Sequence, residues 1–493
     1  MDPSTRRPGP RYARLVFPAL MLVVGVFQLS TIRDGHDWGA DFAQYVQHSR
    51  NLVEGRPYAA TGYVYNPATA STGPRAYPPM FPVLLTPVVA ATLPELNLTA
   101  MKIECVLFLL VALVLIERAL VSLARPWLRY AVVGMIGLSP WVWDFKDQVL
   151  SDLPFLAAVY AALLAMQRLE RDDRGERVRV GTALAIGALA FVATATRTVG
   201  LTLMLGFGLV ELMRHRRPTP ELVIAGFVYA VGFVLQSRWL PPEASYTDQL
   251  KNDPMVVVRN VGIYARALSV MWANGYWQTP RAILTALTIA LAVCEWFGRV
   301  RRGPTVLESF LFCYVGIVLA WPSEQGTRFL LPTLPLVFGY SLVALERLGE
   351  RFLGGAAHPA RRAALPAALV LAAAATDVAR YTTIDFGPLA NGVSTATARE
   401  LFLFIRARTD PNDVIAFRKA RAISLFTGRP AVVPHVAPDD ELAAYLERVG
   451  VRWLIDGLDE ENRLGGLIAR HPDWFALRFR NEAFQVYRFT PPA

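Results

Sequence analysis

The stretch DWGADFAQYVQHSRNLVEGRPY, Asp37 to Tyr58, gathers two aspartates and a histidine just after the first long apolar run of the chain, with His36 immediately before it. Nothing from Ala40 to Leu52 breaks a helix, and Asp41, Tyr45 and His48 fall at i, i+4 and i+7. They therefore share one helical face. A carboxylate placed there can take the proton of a hydroxyl as that hydroxyl attacks an activated substrate. The plainer role of a first-turn acid is to cap the helix or to complement its dipole. Local sequence leaves both roles open. His36, Asp37, Asp41 and His48 also offer ligands that suit magnesium or manganese, but their spacing matches no metal motif. A divalent ion is a secondary reading, and no other cofactor is implied.

The elements that must position these residues follow from composition. Of the 493 residues 54% are hydrophobic and only 18% charged, too few charges to cover a soluble protein of this size, and apolar runs of membrane-spanning length recur through the first three quarters. The expected fold is a polytopic α-helical membrane protein. The net charge of +10 comes from arginines clustered at the ends of apolar runs, which marks cytoplasmic loops rather than a nucleic-acid surface. Cys105, Cys294 and Cys313 all lie inside apolar segments without metal-ligand spacing, so neither a disulfide framework nor a zinc site is implied. Arg6, Arg7, Arg11 and Arg14 put the N-terminus in the cytoplasm, and with no small-residue cleavage site after Leu29 the first run reads as an uncleaved span.

Further spans are expected at about 99–122, 127–143, 149–168, 180–196, 198–213, 221–239, 281–298, 304–321, 329–345 and 363–381, about eleven transmembrane helices in all. Tyr77 to Pro94 decides the sidedness. Counting it as a span would move every arginine-rich connection outside, so it reads as a proline-broken, interfacial or re-entrant helix on the external face. Residues 1–381 are then a membrane domain with an external loop at 31–98, and 382–493 form an external domain. In that second part Asp413–Phe417, Arg429–Val433, Val451–Asp456, Phe475–Arg480 and Phe484–Phe489 read as strands, and Asp439–Gly450 as a helix. The result is a small α/β domain with a partly parallel sheet.

The pattern Asp41-Phe42-Ala43-Gln44-Tyr45, Arg50-Asn51-Leu52, Gly55-Arg56-Pro57-Tyr58 and Tyr77-Pro78-Pro79 resembles the first external loop of the bacterial membrane glycosyltransferases of the GT-C fold. It is similar to the protein O-mannosyltransferases and the lipid A aminoarabinose transferases. Ser151-Asp152-Leu153-Pro154-Phe155, Arg197 beyond a span's external end, and Arg328-Phe329-Leu330-Leu331-Pro332 extend the likeness along most of the chain. The resemblance implies an enzyme of the bacterial inner membrane that moves a sugar from a polyprenyl-phosphate carrier to a glycan, lipid or protein acceptor on the extracytoplasmic side, by single displacement with inversion. It implies Asp41 as catalytic base. Family members frequently carry a second acid next to it, where this chain has Phe42, although Asp37 is near in sequence.

Departure of a lipid phosphate builds negative charge where cationic donors matter most. Arg328 and Arg197 are the candidates to meet it, since each flanks a span on the external side and a guanidinium fork matches phosphate. Their ordinary alternative is snorkelling at a span end. Tyr45, Tyr77, Asp147 and Glu324 complete the expected substrate contacts, with Glu324 read more simply as an ion-pair partner of Arg328 and Asp152 as a helix cap. Trp141, Trp143, Trp272 and Trp277 read first as interfacial belt residues, and the 240–280 loop as a candidate lid. No chemistry is expected from the external domain. The rival class is a transporter or flippase of a lipid-linked or polar solute, which would place ionisable residues in the middle of several spans. The spans here are poor in them.

Overall fold

The computed structural model describes residues 15–171, 178–240, 255–273, 276, 278–322, 326–354, 358–435, 437–457 and 463–490, with no side-chain description at 70–72 and 463. Glu324, Trp277 and residues 241–254 of the expected lid lie outside that set.

Fifteen helices build the first part: α1 (Val16–Ser30), α2 (Ala40–Val53), α3 (Met80–Thr92), α4 (Leu98–Ala119), α5 (Pro126–Gly137), α6 (Pro140–Phe145), α7 (Asp152–Arg171), α8 (Val180–Thr196), α9 (Thr202–His215), α10 (Pro220–Trp239), α11 (Val256–Leu268), α12 (Gln278–Arg302), α13 (Val306–Ala320), α14 (Leu334–Phe352) and α15 (Pro359–Tyr381). Their starts are written locally. Pro126, Pro220 and Pro359 occupy first-turn positions where a missing N–H costs nothing. Thr305 and Glu308 form a reciprocal capping box on α13. Five helical segments are long and apolar enough to cross a membrane: Leu98–Ser122, Asp152–Arg171, Pro220–Trp239, Gln278–Arg302 and Pro359–Tyr381; α1, α3, α8 and α13 are shorter apolar helices.

Two expected segments differ from expectation. The span at 127–143 is two helices, because Ser139 takes the extended geometry (ψ 130°) that Pro140 imposes on its predecessor. The segment at 77–94 is not broken by its prolines. It forms the single helix α3, with Pro87 inside it, packed against α2, α4 and α8 with Phe81, Leu85 and Val89 buried. At 1.5 Å per residue its 13 residues span about 20 Å, short of a ~30 Å hydrocarbon core.

The second part comprises α16 (Ala396–Arg408), β2 (Val414–Ala416), α17 (Ala420–Thr427), β3 (Ala431–Val432), α18 (Asp439–Val449), β4 (Val451–Gly457), α19 (Arg463–Arg470), β5 (Phe475–Arg480) and β6 (Phe484–Phe489). All five expected strands are present. The sheet has a sixth, β1 (Tyr63–Val64), contributed by the loop that follows α2. The order is β1-β3-β2-β4-β6-β5, parallel from β1 to β4 and antiparallel beyond. Tyr63 pairs with Ala431 and Val64 with Val432, so the boundary drawn at residue 381 is bridged by a shared sheet. Three more contacts fasten the junction. Val393 and Leu389 donate backbone bonds to the carbonyls of His36 and Asp34, Asn66 donates to the Val433 carbonyl, and Trp38 meets Phe402, Phe417 and Phe484 edge-on. Gly392 sits so near that a Cβ there would lie 1.9 Å from the His36 oxygen.

Candidate active site at the junction

Asp41 is the second residue of α2, and each of its carboxylate oxygens is engaged by a different part of the chain. Arg328, on the short turn Gly326–Leu330 that leads to α14, donates from Nη1 to Asp41 Oδ2 at 2.7 Å. Tyr77 donates its hydroxyl to Asp41 Oδ1 at 2.7 Å. The other edge of Arg328 reaches Asp152, at 2.9 Å from Nη2, and Arg197 donates to the same carboxylate at 2.6 Å from Nη1. Asp152 opens α7 and Arg197 ends α8, so with the start of α2 three helix termini and two loops converge on one cluster. Arg197 also lies 5.3 Å from the centre of the Phe329 ring.

The fifth charge comes from the second part of the chain. Arg421, near the start of α17, is 1% exposed, donates to the Tyr77 hydroxyl and stands 3.6 Å from Asp41 Oδ1. Its Nη2 donates to the carbonyls of Gly73 (3.0 Å) and Pro74 (3.2 Å), and the guanidinium lies between the rings of Tyr63 and Tyr77. Sequence reasoning missed it. Arg421 stands in KARAIS, with no motif around it. Asp152 is corrected from a helix cap to the carboxylate that joins Arg197 and Arg328, and the expectation of no chemistry from the second part gives way to a buried cation at Asp41.

Burial acts to raise the Asp41 pKa, but the charges of Arg328 and Arg421 and the hydrogen bonds from Arg328 and Tyr77 outweigh it and hold the carboxyl at about 2. Asp41 keeps 27% of its side chain exposed, and Arg328 22%. Three guanidiniums face two carboxylates, which leaves the cluster one positive charge in surplus. Tyr45 sits one turn along α2 with its hydroxyl 2.8 Å from Ser151 Oγ, and burial and the Asp41 charge push it up to about 12.

The remaining candidates go elsewhere. Asp147 is buried and binds Arg33 and Lys146, each at 2.8 Å, with Lys102 at 3.7 Å. Lys102 in turn donates to the carbonyls of Arg33 and Gly35, so Asp147 fixes the entry to the loop rather than joining the Asp41 cluster. A charged residue inside the apolar run of α4 was the available sign of that network. His48 has Nδ1 at 2.8 Å from the Tyr58 carbonyl and receives the Tyr77 N–H at Nε2, and burial pushes it down to about 3. It is neutral and spoken for. Asp37 accepts from Gly39 N–H and faces His36, so neither a second acid nor a metal quartet forms around Asp41. Among the described residues no group of three or more acids, histidines or cysteines is placed to hold a metal ion. Trp143 and Trp272 are buried, not interfacial, and Trp143 donates to Thr31 Oγ1. A cavity of about 800 Å³ lies on the other side of the loop, lined by Asp34, Glu95, Asn97, Ser394 and Arg399 among others, and does not include Asp41.

No protein-family model matches this chain, and no curated protein sequence does. Solved structures do. ArnT from Cupriavidus metallidurans, bound to undecaprenyl phosphate, superposes over 96% of this chain and 97% of its own with a TM-score of 0.55 at 15% identity. The chain has the GT-C fold. The archaeal oligosaccharyltransferase AglB from Archaeoglobus fulgidus, in complex with an inhibitory peptide and a dolichol-phosphate, shares the fold at a TM-score of 0.59 and 11% identity over 95% of this chain and 73% of AglB. The arabinofuranosyltransferase AftD from Mycobacteria does so at 0.56 and 13% identity, over 97% of this chain and 41% of AftD. With its five membrane-length helices, this GT-C chain is a multi-pass membrane protein.

Proposed function

We propose that this chain is a glycosyltransferase that moves a sugar from a polyprenyl-phosphate carrier to an acceptor hydroxyl on the extracytoplasmic side of the bacterial inner membrane, through about eleven spans with the N-terminus inside. The observation that carries the reading is the doubly engaged Arg328, shared between Asp41 and Asp152 beside Arg197, in a chain whose fold is that of a protein solved with undecaprenyl phosphate. The acceptor oxygen attacks the anomeric carbon and its proton passes to Asp41. The bond from that carbon to the phosphate oxygen breaks, and its electron pair leaves with the lipid phosphate, where Arg328 and Arg197 meet the charge.

In the ligand-free geometry Asp41 is a weak base because Arg328 is bound to it. A donor phosphate competes for that guanidinium, and each contact Arg328 transfers to phosphate raises the basicity of Asp41. Arg421 stays behind, holding Tyr77 and through it the carboxylate oxygen that must face the acceptor. Tyr45 and Tyr77 line the approach. A sugar donor bound by phosphate needs no metal in this scheme.

Asp41→Asn in purified protein, assayed with polyprenyl-phosphate sugar, is expected to lose at least about 100-fold in kcat with the donor still bound. Near wild-type transfer by a folded variant overturns the base assignment.

A further inference from the structure

A second arginine cluster lies at the other end of the bundle. α13 ends beside the turn that carries Arg328, and α14 starts just after it, so the start of α13 and the last turns of α14 lie about 20 Å away. There Glu295, 5% exposed, is met by three guanidiniums: Arg299 Nε at 3.0 Å, Arg347 Nη1 at 2.6 Å and Arg302 Nη2 at 3.8 Å. The neighbouring acid Glu308 is occupied, since it accepts from the Thr305 N–H and hydroxyl in the capping box and from the Tyr340 hydroxyl, with Arg299 at 4.0 Å. Three guanidiniums therefore face two carboxylates, one of them already holding neutral donors, and one positive charge is in surplus. Arg302 and Arg347 stay 58% and 45% exposed; both lie within 4 Å of Glu295, and Glu346 also feels the charge of Arg347. A cavity of about 170 Å³ opens between them, walled by Arg299, Arg302, Gly303, Thr305, Glu308 and Arg347.

We propose that this cavity binds a phosphate group, carried by an anionic lipid headgroup or as the free ion. The surplus positive charge selects an anion, and two guanidinium forks offered from different helices suit a tetrahedral oxyanion. The start of α13 beside the cavity is already complemented, by Glu308 on the Thr305 N–H and by Glu170 on the Val306 N–H, so the arginines carry the selection. The flanking faces of α12 and α13 leave Val293, Phe297 and Phe312 about half exposed, an apolar surface along which acyl chains fit beneath a headgroup. Neither the sugar donor nor Asp41 takes part, so the site stands or falls independently of the proposed transfer reaction.

The test uses full-length, delipidated protein in detergent, titrated with dioctanoyl phosphatidylglycerol, with zwitterionic dioctanoyl phosphatidylcholine and with inorganic phosphate, and read by native mass spectrometry and melting temperature. Wild type is expected to bind one phosphatidylglycerol saturably, at least tenfold tighter than phosphatidylcholine. The pair Arg302→Gln with Arg347→Gln is expected to weaken that binding tenfold or more. Arg302→Gln alone, at an exposed position that endangers no fold, is expected to weaken it about threefold. Arg301→Gln, whose guanidinium lies over Phe297 instead of in the cavity, is expected to leave it unchanged. Saturable inorganic phosphate with the same arginine dependence assigns the site to phosphate at large, and its absence assigns it to lipid. Binding that is unsaturable in wild type, that survives within twofold in both arginine variants, or that falls equally in Arg301→Gln overturns the proposal.

Discussion

Arg328 divides its guanidinium between two carboxylates, and that division sets what Asp41 does as pH changes. The folded pKa of Asp41 is depressed from 3.8 to about 2, so its ion pairs contribute stability that is fully present above pH 3.8 and is lost as pH falls through 2. Catalysis by the carboxylate follows the same group, and transfer is expected to be flat from pH 7 down to pH 4. Arg421→Gln removes one of the two cations that depress it, leaving Arg328, Tyr77 and the more remote Lys419 facing the group. Its pKa then rises toward 3.8, and kcat/KM at pH 4 should drop by up to roughly a third relative to that variant's own plateau. A profile as flat as wild type, in a variant with unchanged melting, means Arg421 does not act on Asp41. The site was half legible at this scale. Arg197 and Arg328 announce themselves because each stands at the edge of an apolar run, and Asp41 because it shares a helical face with Tyr45 and His48 in a recognisable loop pattern. Asp152 stood in the same kind of place and was read as a cap because a first-turn acid has that ordinary role. Arg421 had no such mark, since only the fold brings residue 421 to residue 77.

Elements fix these residues by their ends. α2, α7, α8 and the turn before α14 each deliver one charge at or near a terminus, while α3 backs the loop and α17 closes it from above. The long apolar helices, α2, α18 and five of the strands could be read from period and punctuation, since each is a local pattern; α11, α16, α17 and α19 were not expected. β1 could not. Two residues have no period, and Tyr63 and Val64 become a strand only because β3 offers an open edge. The docking of the two parts depends on the close approach at Gly392. Gly392→Ala places a Cβ into the His36 carbonyl, which the adjoining turn cannot yield without losing the bond from Val393. A melting temperature several degrees lower and weaker transfer are expected. An unchanged melt by scanning fluorimetry would mean that this turn carries no strain.

For the whole molecule the decisive property is sidedness, which puts the Asp41 cluster and the Glu295 cluster at opposite ends of the bundle. Cysteine labelling in intact cells reads it directly. Cys294 and Cys313 are exposed and partly exposed, so both are first replaced by serine. Arg56→Cys, at a half-exposed position just after α2, is then expected to react with an impermeant maleimide from outside, and Arg301→Cys only after the membrane is opened. The reverse pattern removes the lipid-borne donor from the reach of Asp41.

The short strand lent by the loop ties the Asp41 cluster to a point far downstream in synthesis. Tyr63 leaves the ribosome long before Ala431 exists, so the loop has no edge to join and Tyr77 no guanidinium to rest on until the final segment has been made. An interrupted polypeptide therefore holds its acid without the scaffold that aims it. The cluster around Asp41 is complete only when the last segment of the chain has been made.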